Sequence, residues 1–191
     1  MRVYKKQSAY FAFALLVLFA SLAAAQSIQP DVPYVPTTDP AVQAMLKLAD
    51  VKKTDVVYDL GCGDGRIVVA AAKNYGARGV GVDINPERVQ DAKKNAKKAG
   101  VENLVRIEQN DLFKADIHEA TVVTLFLLPE VNMRLRPKLL QELQPGTRIV
   151  SNTFDMGDWK PDKQVSLDDD DSDSGLSHKF FLWIVPRRDQ K

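Results

Sequence analysis

At 191 residues, 45% of them hydrophobic, the chain suits one domain with a sizeable core. Its 26 basic and 25 acidic side chains leave a net charge of +1, a dispersed balance that excludes a nucleic-acid surface built on bulk charge. Cys62 is the only cysteine, which excludes an internal disulfide and a cysteine metal cluster.

Arg2, Lys5 and Lys6 precede an apolar run from Phe11 to Phe19, and Ala23-Ala24-Ala25 supplies small residues before Gln26. This is the form of a secretory signal peptide over residues 1–25. The alternative is a retained membrane anchor, since residues 9–25 border on the shortest segment that spans a bilayer. Both readings export the rest of the chain to the periplasm or cell envelope. Residues 26–39 follow as a leader with Pro30, Pro33 and Pro36 and no apolar period. It reads equally as a plain linker or as a strap, with Tyr34 fixed between prolines, that folds over a cofactor pocket.

Residues 40–186 alternate strand and helix patterns. Asp39 and Pro40 are expected to open the first helix as N-cap and first residue, with Val42, Met45, Leu46 and Ala49 as its apolar stripe. The first strand is expected over 55–59, then Leu60-Gly61-Cys62-Gly63-Asp64-Gly65, then a helix over 66–75. The alternate glycines permit a sharp turn and remove Cβ atoms that would hold a ligand off. The helix after them points free N–H groups into the turn. That describes a nucleotide-type cofactor site at the first crossover of a doubly wound sheet. Arg66 stands three residues after Gly63 and so breaks the dinucleotide spacing G-x-G-x-x-G. Asp59 would repel a pyrophosphate and suits a ligand that carries an ammonium. Cys62, with no His or Lys beside it in sequence, reads as a small buried filler rather than a nucleophile.

A second strand over 79–83 ends in Asp83, 18 residues beyond Gly65, about where a ribose-binding carboxylate belongs. Asn85-Pro86-Glu87 begins a helix that Gly100 stops, with Val89, Ala92, Ala96 and Ala99 inward. Lys93, Lys94, Lys97 and Lys98 lie on the opposite side and read as a solvated face. A third strand over 104–108 leads to Asn110-Asp111-Leu112. Residues 121–128 form a continuous apolar run expected as a strand buried on both faces. A short helix around 131–140 and a fifth strand over 146–152 follow. Strands over 164–167 and 179–185 then form an antiparallel hairpin whose acidic tip, 168–175, lacks the EF-hand spacing and reads as a solvated loop. His118 and His178 have no ligand-spaced partner, so no metal site is expected.

Taken together, these pieces resemble the class I, seven-strand methyltransferases that use S-adenosylmethionine (SAM), from about Tyr34 to Val185. The resemblance implies an α/β, Rossmann-like, doubly wound and mostly parallel sheet closed by a C-terminal antiparallel hairpin. It implies that Asp59, Gly61, Cys62, Gly63 and Gly65 hold the methionine half of SAM. Asp83 with Ile84 would hold the ribose, and Asp111 with Leu112 the adenine. More narrowly, Pro33-Tyr34-Val35-Pro36-Thr37, the loop from Tyr58 to Arg66, and Leu127-Leu128-Pro129-Glu130-Val131-Asn132 resemble the small protein-lysine methyltransferases. That group includes archaeal enzymes and mitochondrial ones acting on the ATP synthase c subunit and the adenine nucleotide translocator. The likeness adds Tyr34 to the cofactor set and implies a protein substrate methylated on lysine, with membrane proteins among the candidates. Glu130 is the expected residue to orient the nucleophile. Alternatives are a small-molecule O- or N-methyltransferase, and an exported, non-catalytic domain that binds an adenosine ligand.

Overall fold

Apolar runs buried on both faces must pair their backbone groups, and here they do so in one seven-stranded sheet. The structure, a computed structural model, describes residues 34–167 and 178–187. In chain order the elements are α1 (Asp39–Leu48), β1 (Val56–Leu60), α2 (Arg66–Tyr75), β2 (Arg78–Asp83), α3 (Pro86–Lys98), β3 (Val105–Gln109), β4 (Val122–Leu125), α4 (Pro129–Glu142), β5 (Arg148–Asn152), β6 (Lys163–Leu167) and β7 (His178–Ile184). The strand order is β3-β2-β1-β4-β5-β7-β6. All pairs are parallel except those that β7 makes with β5 and β6. This is the doubly wound class expected from the sequence. The order reverses between β1 and β4, so the crevice past their C-terminal ends is the fold's natural ligand site. The expected signal or anchor segment, residues 26–33 of the leader and the acidic hairpin tip lie outside the described residues. Among the described residues no helix is long and apolar enough to cross a membrane.

Alternation along the strands sorts the core into two faces. Val56, Tyr58 and Leu60 of β1 cluster with Val131, Leu135 and Leu139 of α4. Val57 takes the other face, with Met45 and Leu46 of α1 and Ile67 and Ala71 of α2. Each large side chain fully buried this way contributes about 1.5–3 kcal/mol. At the N-terminal ends of the strands, buried Asp55 accepts from Thr121 Oγ1 at 2.7 Å and from the Lys52 N–H at 2.7 Å, and it pairs with Arg148. Arg148 also donates to the carbonyls of Ala49 at 2.7 Å and Asp50 at 3.0 Å. One cluster thus ties β1, β4 and β5 to the end of α1.

Three local expectations need correction. The N-cap of α1 is Thr38, whose Oγ1 accepts from the Ala41 N–H at 3.4 Å. Asp39 falls instead in the first turn, where its charge complements the helix dipole. The apolar run 121–128 is not all strand: β4 stops at Leu125, and Leu128 already caps α4. α4 begins at Pro129, which suits a first-turn position, and runs through Pro137 to Glu142 because Leu135 and Leu139 are fully buried. The residues freed between β4 and α4 border the site.

Candidate active site

The sheet register sets Asp59 of β1 beside Thr124 of β4. Thr124 Oγ1 donates to Asp59 Oδ1 at 2.8 Å, and the carboxyl is buried. Burial raises the Asp59 pKa to about 7; the Thr124 bond opposes the rise, and the charges of Asp83 and Asp64 add to it. A cation placed beside this group would favour its ionised form.

Past Leu60 the chain turns sharply, with the Gly61 and Cys62 N–H groups both donating to the Val82 carbonyl at 2.8 and 2.9 Å. Gly63, at φ 53°, has no room for a side chain: a Cβ there would lie 2.5 Å from Tyr34 Cε2. Its N–H donates to Asp83 Oδ2 at 2.8 Å, while Asp83 Oδ1 accepts from the Asn85 N–H at 2.9 Å. The acid at the end of β2 is therefore held by the glycine loop on one side and the start of α3 on the other. After β3, Asp111 Oδ1 accepts from the Phe113 N–H at 2.9 Å and its carbonyl from the Lys114 and Ala115 N–H groups at 2.8 and 2.9 Å. That closed turn presents Asn110, Leu112 and Phe113 to the crevice. Beyond β5, Thr153 at φ 67° reverses the chain, and Phe154 stacks on Phe126 with centroids 6.5 Å apart.

These segments enclose a cavity of about 330 Å³. Of the cofactor set expected from sequence, Tyr34, Asp59, Gly61, Cys62, Gly63, Asp83, Ile84, Asp111 and Leu112 all border it. Gly65 does not. A Cβ there would sit 2.8 Å from Ala92 Cβ, so this glycine lets α3 pack against the loop. Glu130 also lies off the cavity wall, exposed in the first turn of α4. The Cys62 thiol is buried, and burial together with Asp59 and Asp83 pushes its pKa up, so it packs as a neutral group.

Sequence reasoning missed Thr37, Arg66, Asn85, Arg88, Asn110, Phe113, Phe126 and Arg134, which also border the cavity. Phe126 was hidden inside the apolar run read as strand. Arg134 of α4 stacks its guanidinium 4.3 Å over the Phe113 ring, a meeting of distant segments that leaves no local trace in the sequence. At the surface, ligand atoms of Asp116, His118 and Glu142 come within 4.8 Å of one another. Lys138 Nζ already takes both Glu142 oxygens at 2.7 Å, and Asp116 Oδ1 accepts from the His118 N–H at 3.0 Å. That internal pairing accounts for the cluster.

The family described as the ANTKMT methyltransferase domain matches residues 59–163, from the buried acid of β1 to the first residue of β6. The chain belongs to this methyltransferase family. A protein-lysine N-methyltransferase of Saccharolobus islandicus (strain REY15A) is 46% identical over 160 residues, 83% of this chain and 97% of that protein. A lysine N-methyltransferase of Xenopus laevis, named for the c subunit of ATP synthase, is 38% identical over 130 residues, 68% of this chain and 57% of that protein. The chain thus spans little more than half the length of this vertebrate relative. Among solved structures, an RNA methyltransferase from Salinibacter ruber, crystallised with S-adenosyl-L-homocysteine, superposes with a TM-score of 0.76 at 54% identity. The match covers 82% of this chain and 97% of that one.

Proposed function

We propose that this methyltransferase uses SAM to methylate lysine side chains of a protein substrate. The observation that carries the cofactor reading is the pair of acids at the glycine loop. Asp59 is a buried carboxyl that favours a cationic neighbour, and Asp83 is fixed by two backbone N–H groups with lone pairs left for hydroxyls. The cavity volume falls at the lower end of the range for small-molecule sites. These residues fit a ligand with an ammonium at one end and a ribose in the middle. Asp59 and residues 61–63 would hold the amino-acid half, Asp83 the ribose, and the Asp111 turn with Leu112 the adenine.

Bound SAM supplies an electrophilic methyl on a sulfonium, so no covalent enzyme intermediate is required. The chain's own contribution is then positioning and exclusion of water. Lysine must first lose a proton, against a reference pKa near 10.4. Phe126 and Leu127 give the cavity an apolar stretch in which an ammonium is poorly solvated, and that lowers the amine's pKa. Tyr34, over Gly63, would limit access of water from the leader side.

Support for lysine comes from the relative of 46% identity, which is named for that substrate. A second reading, RNA, is favoured by the name of the Salinibacter protein. Incubation with methyl-labelled SAM and both total protein and total RNA separates them. Label is expected in protein, surviving ribonuclease and recovered as methylated lysine after acid hydrolysis. Ribonuclease-sensitive label overturns the lysine reading, and absence of SAM binding overturns the cofactor reading. We further propose that residues 1–25 direct export, on the strength of the basic and apolar pattern at Arg2 to Ala25. Cell fractionation that finds the protein in the cytoplasm overturns that part alone.

A further inference from the structure

Arg66 enters the sequence only as the residue that breaks a dinucleotide spacing, yet its side chain joins three segments. Its Nε donates to Asp64 Oδ1 at 2.9 Å and its Nη2 to Asp64 Oδ2 at 2.7 Å, a two-pronged pairing that fixes the guanidinium plane. Fixed this way, Nη1 points at the leader and donates to the Thr37 carbonyl at 2.6 Å. Asp64 is pinned in turn, because its own carbonyl accepts from Asn95 Nδ2 of α3 at 2.9 Å. The clasp is half-buried, with side-chain exposures of 31% for Arg66 and 18% for Asp64.

The leader it grips covers the glycine loop. Thr37 is buried and Thr38 caps α1, so the chain is anchored there, whereas Tyr34 and Val35 are exposed. Tyr34 rests over Gly63 and carries the Arg88 guanidinium 4.7 Å above its ring. Gly63 in turn holds Asp83. Among the described residues, then, the strap at 34–37 has one end fixed by Thr37 and the α1 cap and one end held by the side-chain contacts of Tyr34.

We infer that Arg66 is a positioning residue: clamped by Asp64, it holds the Thr37 carbonyl and so keeps the Tyr34 strap closed over the cofactor cavity, setting how fast the cofactor leaves. The inference rests on the SAM reading of the cavity. It assigns Arg66 a role through the strap rather than through contact with the reacting groups.

The test uses the full chain as Arg66→Met, Arg66→Lys, Tyr34→Ala and the Arg66→Met/Tyr34→Ala double variant. Hydrogen exchange of the ligand-free proteins is read at the amides of residues 35, 37 and 38, with α2 as the internal control of folding. SAM dissociation is followed by rapid mixing with excess competitor. Arg66→Met is expected to speed exchange at those amides and to raise the dissociation rate about tenfold, the equivalent of one charge-assisted hydrogen bond, with α2 unchanged. Arg66→Lys is expected to behave alike, since an ammonium lacks the planar fork that aims the third donor. In the Tyr34→Ala background, Arg66→Met is expected to add less than about twofold, because both changes open one strap. A full tenfold addition in that background overturns the inference, as does unchanged exchange at residues 35–38. If the wild-type protein does not bind SAM, the cofactor reading fails, while the exchange measurement still reports on the clasp.

Discussion

The Gly63 N–H donates to Asp83 Oδ2 at 2.8 Å, so the glycine loop and the acid at the end of β2 are one unit rather than two motifs. Replacing Asp83 by Ala removes the partner of Gly63 and the two lone-pair directions proposed for ribose hydroxyls. Asp83 also holds the Asn85 N–H, and Gly63 is buried beneath Tyr34, so the fold is expected to lose about 1–3 kcal/mol. SAM affinity is expected to fall about 100-fold or more, the scale of two charge-assisted bonds. Calorimetric titration beside thermal unfolding checks both parts, and a large drop in stability with affinity preserved contradicts the assignment.

Asp59 gives a dependence on pH with opposite signs for folding and for binding. Its folded pKa is raised from 3.8 to about 7, so the folded state holds the proton more tightly than the unfolded chain. That contribution to stability is fully present below about pH 4 and is lost as pH rises through about 7. Asp59→Asn is expected to flatten this part of the stability curve. A cationic ligand instead needs the ionised form, so SAM binding at pH 6 is expected to release about one proton and to weaken as pH falls. Titrations in buffers of different ionisation enthalpy measure the proton directly.

The loop and its acids were legible because their signal is local: a β-branched run, an acid and alternate glycines within a dozen residues. α3 was equally plain, bounded by its own start and stop residues, Asn85 and Gly100. Phe126 was lost because an apolar run carries no mark of where pairing ends, and here it ends at Leu125. Arg66 and Arg134 were lost for another reason. Their partners, Thr37 and Phe113, lie far along the chain, and long-range contacts of single cations leave no period or spacing to read.

Arg148 and Asp55, 93 residues apart, are a second case of that kind, and they carry stability rather than chemistry. Burial opposes ionisation of Asp55, but hydrogen bonds from Thr121 and Lys52 and the charge of Arg148 outweigh it and hold its pKa below the usual value. Its contribution is therefore present above about pH 4 and is lost as pH falls through the lowered folded value. Arg148→Met leaves the carboxylate short of its cation and frees two carbonyls, at a cost of about 3 kcal/mol. A fall in melting temperature of roughly 6–12 °C is expected, with a shallower loss of stability in acid. Asp55→Asn added to Arg148→Met is expected to recover part of that loss, since the buried charge is then gone.

Glu130 tests how far the sequence motif after β4 carries over to this chain. As an acid in the first turn of α4 it complements the helix dipole, and it is exposed and off the wall of the cavity. Glu130→Gln keeps the shape and removes the charge, so its effect on stability is expected to stay within about 0.5 kcal/mol. If the amine loses its proton through the apolar surroundings of Phe126 and Leu127, kcat in Glu130→Gln stays within about twofold of wild type. The paired substitution Phe126→Ala is then the informative one, because it wets the apolar stretch proposed to take the amine and is expected to lower kcat at neutral pH and recover part of it at high pH. A collapse of kcat in Glu130→Gln with unchanged SAM affinity would restore the acid to the chemistry and require α4 to shift its first turn toward the cavity when substrate binds.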